Sequence, residues 1–302
     1  MPPTKKSVPV KSATKKRKVS SHVRSIASAR TKMKTTKESV RTAGSQAKAK
    51  ASVAAKAQPT PKGTQISLDA QVQEVLASLK RLADKRVFED MSKRYGIYTN
   101  KALGVSMSNI QKVAKPLGRN HELAAALWET GWYEARMLTS FVDDPALVTS
   151  EQMDRWCREF DNWGIVDTLC FNLFDRTPYA WRKVAQWCKE DEEFVKRAGF
   201  ALLWSLTVHD KQASDDQFVQ GLVLILRGAN DERHLVKKAV NMALRAVGKR
   251  NAVLNSAAVA IARRLAESSA PAARWVGKDA LRELTSAAIA NRLAKRRPTE
   301  DR

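Results

Sequence analysis

Residues 156–170 of this chain read WCREFDNWGIVDTLC, a stretch with helical apolar spacing that places an indole and a carboxylate four residues apart. Residues at positions i and i+4 share one face of a helix, so Trp163 and Asp167 are predicted to project together. A buried, unpaired carboxylate is costly unless a cation or a hydrogen-bond donor meets it. Asp167 is therefore either a functional carboxylate or a partner for a neighbouring helix, and in the second case Trp163 is a core residue.

The same apolar spacing extends from about residue 66 to about residue 297. Apolar residues recur there every three or four positions with few strand-like alternations, which is typical of amphipathic helices. Breaks at Gly, Pro and short polar runs predict roughly a dozen helices of about ten to eighteen residues. Three of these helices have recognisable start signals, at Ser150, at Thr177-Pro178 and at Ser214.

Pairs of predicted helices recur at a spacing of about forty residues, which is in the range of HEAT-like repeats. Stacked helix pairs of this kind form a curved solenoid with an extended binding face. The sequence therefore predicts an all-α fold, a curved α-solenoid of HEAT-like helical repeats over residues 66–297.

Residues 1–65 differ sharply in composition and are predicted to be a disordered polybasic tail. Residues 1–63 hold 17 of the 54 Lys and Arg residues and a single acid, Glu38, and so carry 16 of the formal net charge of +23. With few large apolar residues, such a segment cannot offset the entropy of ordering. A polycation of this kind binds nucleic acid by displacing counterions from phosphates. Residues 14–19, TKKRKV, are similar to a nuclear import signal, although short basic runs are common in such tails.

Several classes of protein are disfavoured by what the sequence lacks. No apolar run approaches the roughly 18 residues that a membrane span needs, so we expect an intracellular protein without membrane association, in the cytoplasm or nucleoid of a bacterium or the nucleus of a eukaryote. We expect no cofactor and no metal, because the histidines are scattered and the cysteines have no CxxC spacing. The absence of long heptads favours a monomer. The three cysteines are expected to be buried thiols: Cys157, Cys170 and Cys188.

Two helical stretches carry cations that could contact phosphates. Arg197 begins an otherwise apolar helix, where a guanidinium can clamp a phosphate or a carboxylate. Lys238, Arg245 and Lys249 recur at helical spacing in a second stretch. Near nucleic acid these would be phosphate contacts. Cations that flank helices are more often solvated surface, and that interpretation stays open for all four.

Four stretches together resemble the AlkD-like DNA alkylation repair family of HEAT-like-repeat DNA glycosylases. The similarity spans about residues 70–295, and the order and spacing of four motifs make it more specific than any one of them. The motifs are RYGIYTNKALGV at 94–105, LWETGWYEAR at 127–136, FDNWGIVD at 160–167 and VKKAVNMALRAVGKRN at 236–251.

The resemblance implies a monofunctional glycosylase that removes cationic alkylated purines, such as N3-alkyladenine and N7-alkylguanine, from double-stranded DNA. The family's catalytic Asp, and the Trp four residues before it, match Asp167 and Trp163. Its DNA-contacting arginines match Arg197 and Arg245. A second active-site Trp of the family falls on Met242, which offers no π face to a cation. The resemblance also implies that the damaged base stays in the duplex stack during hydrolysis, and no deep pocket is evident from the sequence.

Several residues in or near these motifs are expected to have supporting roles. Tyr95 and Lys101 are candidates for the entrance of the DNA-binding groove. Glu134 and Arg136 are expected to pair between helices, and Asp161 to act as a helix cap, a supporting partner or a second acid. The remaining tryptophans of the motifs and their surroundings are expected to be packing residues: Trp128, Trp132, Trp156, Trp181, Trp187 and Trp204.

Two other classes of function are compatible with parts of the sequence. A HEAT-like DNA-binding or scaffold protein without catalysis would keep the basic groove, and Met242 favours it. The presence of both Trp163 and Asp167 argues against it, because phosphate binding gains nothing from a carboxylate in the groove. An α-solenoid adaptor between proteins would explain the repeats but neither the groove charges nor the basic tail.

Overall fold

The computed structural model of this protein describes residues 67–295. The predicted tail and the TKKRKV run lie outside these residues, as do both outer limits of the predicted helical domain. Within residues 67–295 the secondary structure is entirely helical. The α-helices are α1 Leu68–Arg81, α2 Lys85–Lys93, α3 Met107–Ala114, α4 His121–Glu129, α5 Tyr133–Val142, α6 Ser150–Arg158, α7 Trp163–Asn172, α8 Ala180–Trp187, α9 Glu193–His209, α10 Asp215–Gly228, α11 His234–Gly248, α12 Ala252–Ala266, α13 Pro271–Leu284 and α14 Ala287–Ala294.

The helices stack in two layers, as the forty-residue spacing predicts. One layer is a row in which α5 packs on α7, α7 on α9, α9 on α11 and α11 on α13. The other layer backs it, with α4 on α5, α8 on α9, α10 on α11 and α12 on α13. Each helix pair thus buries its apolar face against the next pair, which is the architecture of an α-solenoid.

The start signals in the sequence are confirmed in two cases and wrong in one. Ser214 and Gln217 form the reciprocal capping box of α10, and α6 begins at Ser150 with Thr149 as its cap. Helix α8 begins at Ala180 rather than at Pro178. The preceding residues instead form a short 3-10 turn, Phe174–Arg176, and the Thr177 hydroxyl donates to the Phe174 carbonyl at 2.8 Å. That local bond competes with helix initiation.

The tryptophans assigned to packing do pack between helices. The rings of Trp128 and Trp156 stack with centroids 4.4 Å apart, and Trp187 is fully buried beneath Phe174. Trp132 and Trp181 lie partly buried against the core, and the partly buried Trp204 meets the Phe171 ring edge-on with centroids 4.5 Å apart. All three cysteines are buried free thiols, as expected. No helix between residues 67 and 295 is long and apolar enough to cross a membrane.

Candidate active site

Helix α7 places Trp163 and Asp167 on one face, one turn apart. The helix is capped by Asn162, whose side-chain oxygen accepts from the Ile165 amide at 3.0 Å. The cap is therefore Asn162 and not Asp161, since an asparagine oxygen at this position reaches the first free amides of the helix. The exposed Asp161 carboxylate accepts from the Asn162 side-chain amide at 2.7 Å and supports the cap.

The carboxylate of Asp167 forms an ion pair with Arg197 on α9. Nη2 of Arg197 lies 2.7 Å from Oδ2 and 2.9 Å from Oδ1, and Nη1 donates to the Leu235 carbonyl at 2.8 Å. The Arg197 side chain is 4% exposed and the Asp167 side chain 18% exposed. Arg197 therefore links α7 to α9 and to the start of α11, and any contact between Arg197 and DNA stays a prediction.

Two opposing effects set the pKa of Asp167. Burial raises the pKa above the ordinary carboxyl value of 3.8, and the Arg197 guanidinium lowers it by charge and hydrogen bonding; burial has the larger effect. A desolvated carboxylate gains more from an additional positive charge than a hydrated one does, because the surrounding dielectric is low. The site is therefore suited to stabilising a cation brought to the partly exposed side of Asp167.

The indole of Trp163 is fixed from two sides. Its Nε1 donates to the backbone carbonyl of Tyr95 at 2.8 Å, and the Tyr95 ring meets it edge-on with centroids 6.4 Å apart. The Arg197 guanidinium lies 6.0 Å from the Trp163 ring centroid. Trp163 is thus a rigid wall beside the ion pair rather than a residue of the central core, and the Tyr95 backbone holds it in place.

A basic cavity of about 580 Å³ opens on one side of this wall. It brings together six of the predicted site residues: Tyr95, Trp163, Asp167, Arg197, Lys238 and Met242. Lys238 has no ion-pair partner among residues 67–295, and His234, which the sequence left unassigned, lies at the N-terminal end of α11. The lining residues are Arg94, Tyr95, Gly96, Trp163, Asp167, Arg197, His234, Leu235, Lys238 and Met242.

An apolar cavity of about 400 Å³ opens on the other side, between α2, α3, α5 and α7. The sequence did not indicate a pocket here, because its walls come from segments far apart along the chain. Both cavities share Tyr95, Trp163 and Asp167. The other lining residues of the apolar cavity are Val87, Asp90, Met91, Ile97, Val105, Ser106, Met107, Ile110, Tyr133, Met137, Gly164 and Thr168.

Gly164 allows α7 to approach the apolar cavity closely. A Cβ at this position would lie 2.8 Å from the Tyr133 hydroxyl and 3.2 Å from Ile97 Cδ1. Burial raises the pKa of that hydroxyl far above its usual value, with the Glu134 charge contributing, so Tyr133 stays protonated. The absence of a side chain at Gly164 therefore allows the Tyr133 hydroxyl to lie against α7 in the wall of the apolar cavity.

Glu134 holds the loop that forms another wall of the apolar cavity. It is fully buried and accepts from the backbone amides of Leu103, Gly104 and Val105 at 2.8–3.2 Å. Gly104 has a φ of +78°, which suits glycine. Glu134 thus binds the backbone amides of a loop and does not pair with a basic residue of another helix. Arg136 pairs with Glu159, which lies on the loop after α6, at 3.0 Å.

Three predicted site residues lie outside both cavities. Arg245 pairs with Glu283 and lies 3.7 Å from Asp279, and Lys249 lies 2.9 Å from Glu283. Lys101 donates to the Thr130 carbonyl at 3.1 Å. The acids on α13 partly neutralise the end of the α11 cationic stretch, which the sequence motif alone did not reveal. Their role in DNA binding stays a prediction.

The described residues include no cluster of three or more His, Cys, Asp or Glu side chains that could hold a metal ion. Residues 67–295 bring together at this site the carboxylate of Asp167, the neighbouring cations and the aromatic wall.

Comparison with known proteins identifies the family. The family model described as DNA alkylation repair enzyme matches residues 75–284, which is more than half of the chain. The chain therefore belongs to the DNA alkylation repair enzyme family, and the resemblance drawn from the four motifs is confirmed. No curated protein matches the chain.

Two solved structures are reported as similar to this chain. One, described as belonging to "a new family of proteins related to the HEAT-like repeat DNA glycosylases with affinity for branched DNA structures", is 20% identical with a TM-score of 0.59; the match covers 70% of this chain and 94% of that chain. It confirms the HEAT-like architecture. The second, a designed armadillo repeat protein in complex with a (KR)4 peptide, is 11% identical with a TM-score of 0.30 and covers 74% of this chain and 93% of that chain.

Proposed function

We propose that this protein is a monofunctional DNA glycosylase that hydrolyses the N-glycosidic bond of cationic alkylated purines in double-stranded DNA. The observation that carries the proposal is the mostly buried Asp167 carboxylate, held by Arg197 beside the rigid Trp163 indole. The carboxylate lies at the edge of a cavity lined by three further basic or potentially cationic side chains, Arg94, His234 and Lys238. Family membership supports the choice of damaged DNA as substrate.

Hydrolysis of this N-glycosidic bond needs few protein side chains. An N3- or N7-alkylated purine already carries a positive charge and leaves without protonation, so the deoxyribose becomes oxocarbenium-like, as in glycoside hydrolysis. The enzyme has to place negative charge near C1′ and to orient a water molecule there. Asp167 can do both with its partly exposed edge. Arg197 is a positioning residue, because its guanidinium fixes the carboxylate from the buried side.

The cations of the basic cavity suit the sugar-phosphate backbone around the damaged nucleotide. Arg94 and Lys238 are exposed at the cavity and can neutralise phosphates. Borohydride trapping distinguishes hydrolysis from an imine route through the amine of Lys238, which lines the same cavity as Asp167. Hydrolysis predicts no covalent adduct.

A second function, DNA binding without turnover, is favoured by three observations. Both carboxylate oxygens of Asp167 already accept from Arg197, which reduces the negative charge offered to a substrate. Met242 lines the basic cavity where the resemblance implies a second aromatic wall. The similar solved structure with a TM-score of 0.59 is itself described by its affinity for branched DNA. A binding protein of that kind would use the basic cavity for the backbone alone.

The deciding experiment measures release of methylated purines from methylated duplex DNA at low salt. Wild type is compared with Asp167→Asn, which keeps the size of the side chain, and with Asp161→Asn as a control on the same motif. The proposal predicts loss of release in Asp167→Asn alone, with DNA binding retained in all three proteins. Equal release by wild type and Asp167→Asn would reject it.

Release by none of the three proteins, with tight binding to duplex or branched DNA, would favour the binding function. Met242→Trp then tests whether an aromatic wall restores turnover. A cation against an indole contributes about 0.5–2 kcal/mol. An aromatic wall at this position should therefore strengthen binding of a cationic lesion without changing binding of undamaged duplex.

A further inference from the structure

Three side-chain contacts join α11 to α13 in one register. Each contact pairs a residue of α11 with the residue 38 positions later in the sequence, and successive contacts are about one helical turn apart. The two helices therefore lie side by side and point in the same direction. From the N-terminal end, the contacts are Lys237 with Trp275, Asn241 with Asp279, and Arg245 with Glu283.

The N-terminal contact differs from the other two in charge. Asp279 and Glu283 place carboxylates at the second and third contacts, and Glu283 also pairs with Lys249. Within residues 67–295, neither Lys237 nor Lys238 forms an ion pair with an acidic residue. On the facing sides of α11 and α13, positive charge without an acidic partner therefore lies at the N-terminal end, where Lys238 lines the basic cavity.

Trp275 is exposed at this end of α13, whereas the other tryptophans between residues 67 and 295 are buried or partly buried. The residue is 41% exposed, and Nζ of Lys237 lies 5.5 Å from the centroid of its ring. A cation against an indole at an exposed site is only weakly held. The ammonium can therefore leave the ring at little cost when a ligand competes for either group.

We propose that Trp275 and Lys237 form a second contact for DNA, at which the indole stacks on an unpaired base and the ammonium meets the phosphate of that nucleotide. This contact presupposes the proposed binding of the DNA backbone in the basic cavity, but it is independent of base release. Lys238 lines that cavity and directly follows Lys237 in the chain. A strand that continues from the cavity toward α13 therefore meets the indole.

An unpaired base fits this contact better than a paired base does. Within a continuous duplex, neighbouring bases cover both faces of each base, so an indole on a helix surface meets only the backbone and base edges. A base at a gap, a fork or a strand end has a free face. Proteins that hold single strands combine aromatic side chains with nearby cations in this way. The flexible stem of Lys237 lets its ammonium move from the ring to a phosphate.

The test uses undamaged duplexes that differ only in a short arm at one end. In the first duplex the arm is single-stranded thymidine, and the second has an arm of tetrahydrofuran abasic units with the same number of phosphates. The third duplex has no arm. Arms of both strand polarities are made. Comparison of the first two duplexes isolates the contribution of the bases from that of the phosphates.

Two variants of Trp275 and one control are compared with wild type. Trp275→Leu keeps an apolar side chain but removes the ring, whereas Trp275→Phe keeps an aromatic ring. Phe88→Leu is the matched control, because Phe88 is 42% exposed on α2 and lines neither cavity. Equilibrium titrations of each protein with each duplex give the dissociation constants.

We expect wild type to bind the thymidine arm at least about fivefold more tightly than the abasic arm at one polarity, because stacking of a base on an aromatic ring strengthens binding by roughly this factor or more. Trp275→Leu should bind the two arms equally, and Trp275→Phe and Phe88→Leu should keep the preference.

Equal binding of the two arms by wild type at both polarities overturns the proposal, and the exposed indole then suits a protein partner instead. A full preference that persists in Trp275→Leu also overturns it. Absence of binding to all three duplexes by wild type overturns the proposed use of the basic cavity as well.

A crosslinking measurement on the wild-type protein requires no substitution. The thymines of the arm are replaced by 5-iodouracil, which forms an adduct with an adjacent aromatic side chain on irradiation. The expected adduct lies on the peptide that contains Trp275. Adducts confined to other peptides overturn the proposal, whatever the stability of the variants.

Discussion

Nη2 of Arg197 donates to both carboxylate oxygens of Asp167, at 2.7 and 2.9 Å, across 30 residues of sequence. The same guanidinium uses Nη1 to hold the Leu235 carbonyl at 2.8 Å, so one side chain sets the positions of the carboxylate and of the start of α11. The Arg197 Nε has no hydrogen-bond partner within the part of the chain that the structure describes. The contacts of the guanidinium are thus concentrated at its two terminal nitrogens.

The pH dependence of base release should reflect this ion pair. Only ionised Asp167 can stabilise a positive sugar, so release should fall as pH drops through its pKa. Burial raises that pKa above 3.8 while Arg197 lowers it. Arg197→Gln removes the lowering charge, so the acid limb should shift to higher pH. Single-turnover rates across the acidic range, corrected for spontaneous base loss without protein, measure the shift. An unmoved limb, or one shifted to lower pH, would contradict this coupling.

The salt dependence of DNA binding should distinguish two lysines of the last motif. Lys238 lines the basic cavity without an acidic partner among residues 67–295, whereas Lys249 lies 2.9 Å from Glu283. Each phosphate contact by a free cation adds about one to the slope of log K against log salt. Lys238→Ala should therefore lower the slope by about one and Lys249→Ala by clearly less. Titrations of the same duplex at several salt concentrations measure both, and equal slopes for the two variants would refute the distinction.

The stability of the fold should depend strongly on Glu134. Its carboxylate is fully buried and accepts from three backbone amides, and an unsatisfied buried donor costs about 1–3 kcal/mol. Glu134→Ala should therefore lower the free energy of unfolding by about 3 kcal/mol or more. Glu129→Ala is the matched control, because its exposed pair with Arg155 contributes only about 0–1 kcal/mol. Urea unfolding measures both. Similar losses in the two variants would mean that the loop amides find other partners.

The features of the fold and of the site that depend on local spacing could be predicted from the sequence. Apolar spacing specifies the helices, and the four-residue step from Trp163 to Asp167 places both on one face of α7. These features follow from helix geometry alone. The capping box at Ser214 is local in the same way, and it too is found in the structure.

Features that depend on distant segments could not be predicted in this way. The pairing of Arg197 with Asp167 joins two helices, and the neutralisation of Arg245 by Glu283 joins positions 38 residues apart. The apolar cavity has walls from four helices. The start of α8 was misplaced because the bond between Thr177 and the Phe174 carbonyl outweighs the helix-starting tendency of Pro178. Each outcome depends on which partner is available in three dimensions.

Gly164 has a practical consequence for redesigning this protein. A Cβ at that position would lie only 2.8 Å from the Tyr133 hydroxyl, so a side chain there would require Tyr133 to shift. The α2 and α3 sides are formed partly by the more accessible Val87 and Met107. Substitutions meant to reshape this cavity should therefore be made on α2 and α3, with Trp163 and Gly164 kept unchanged.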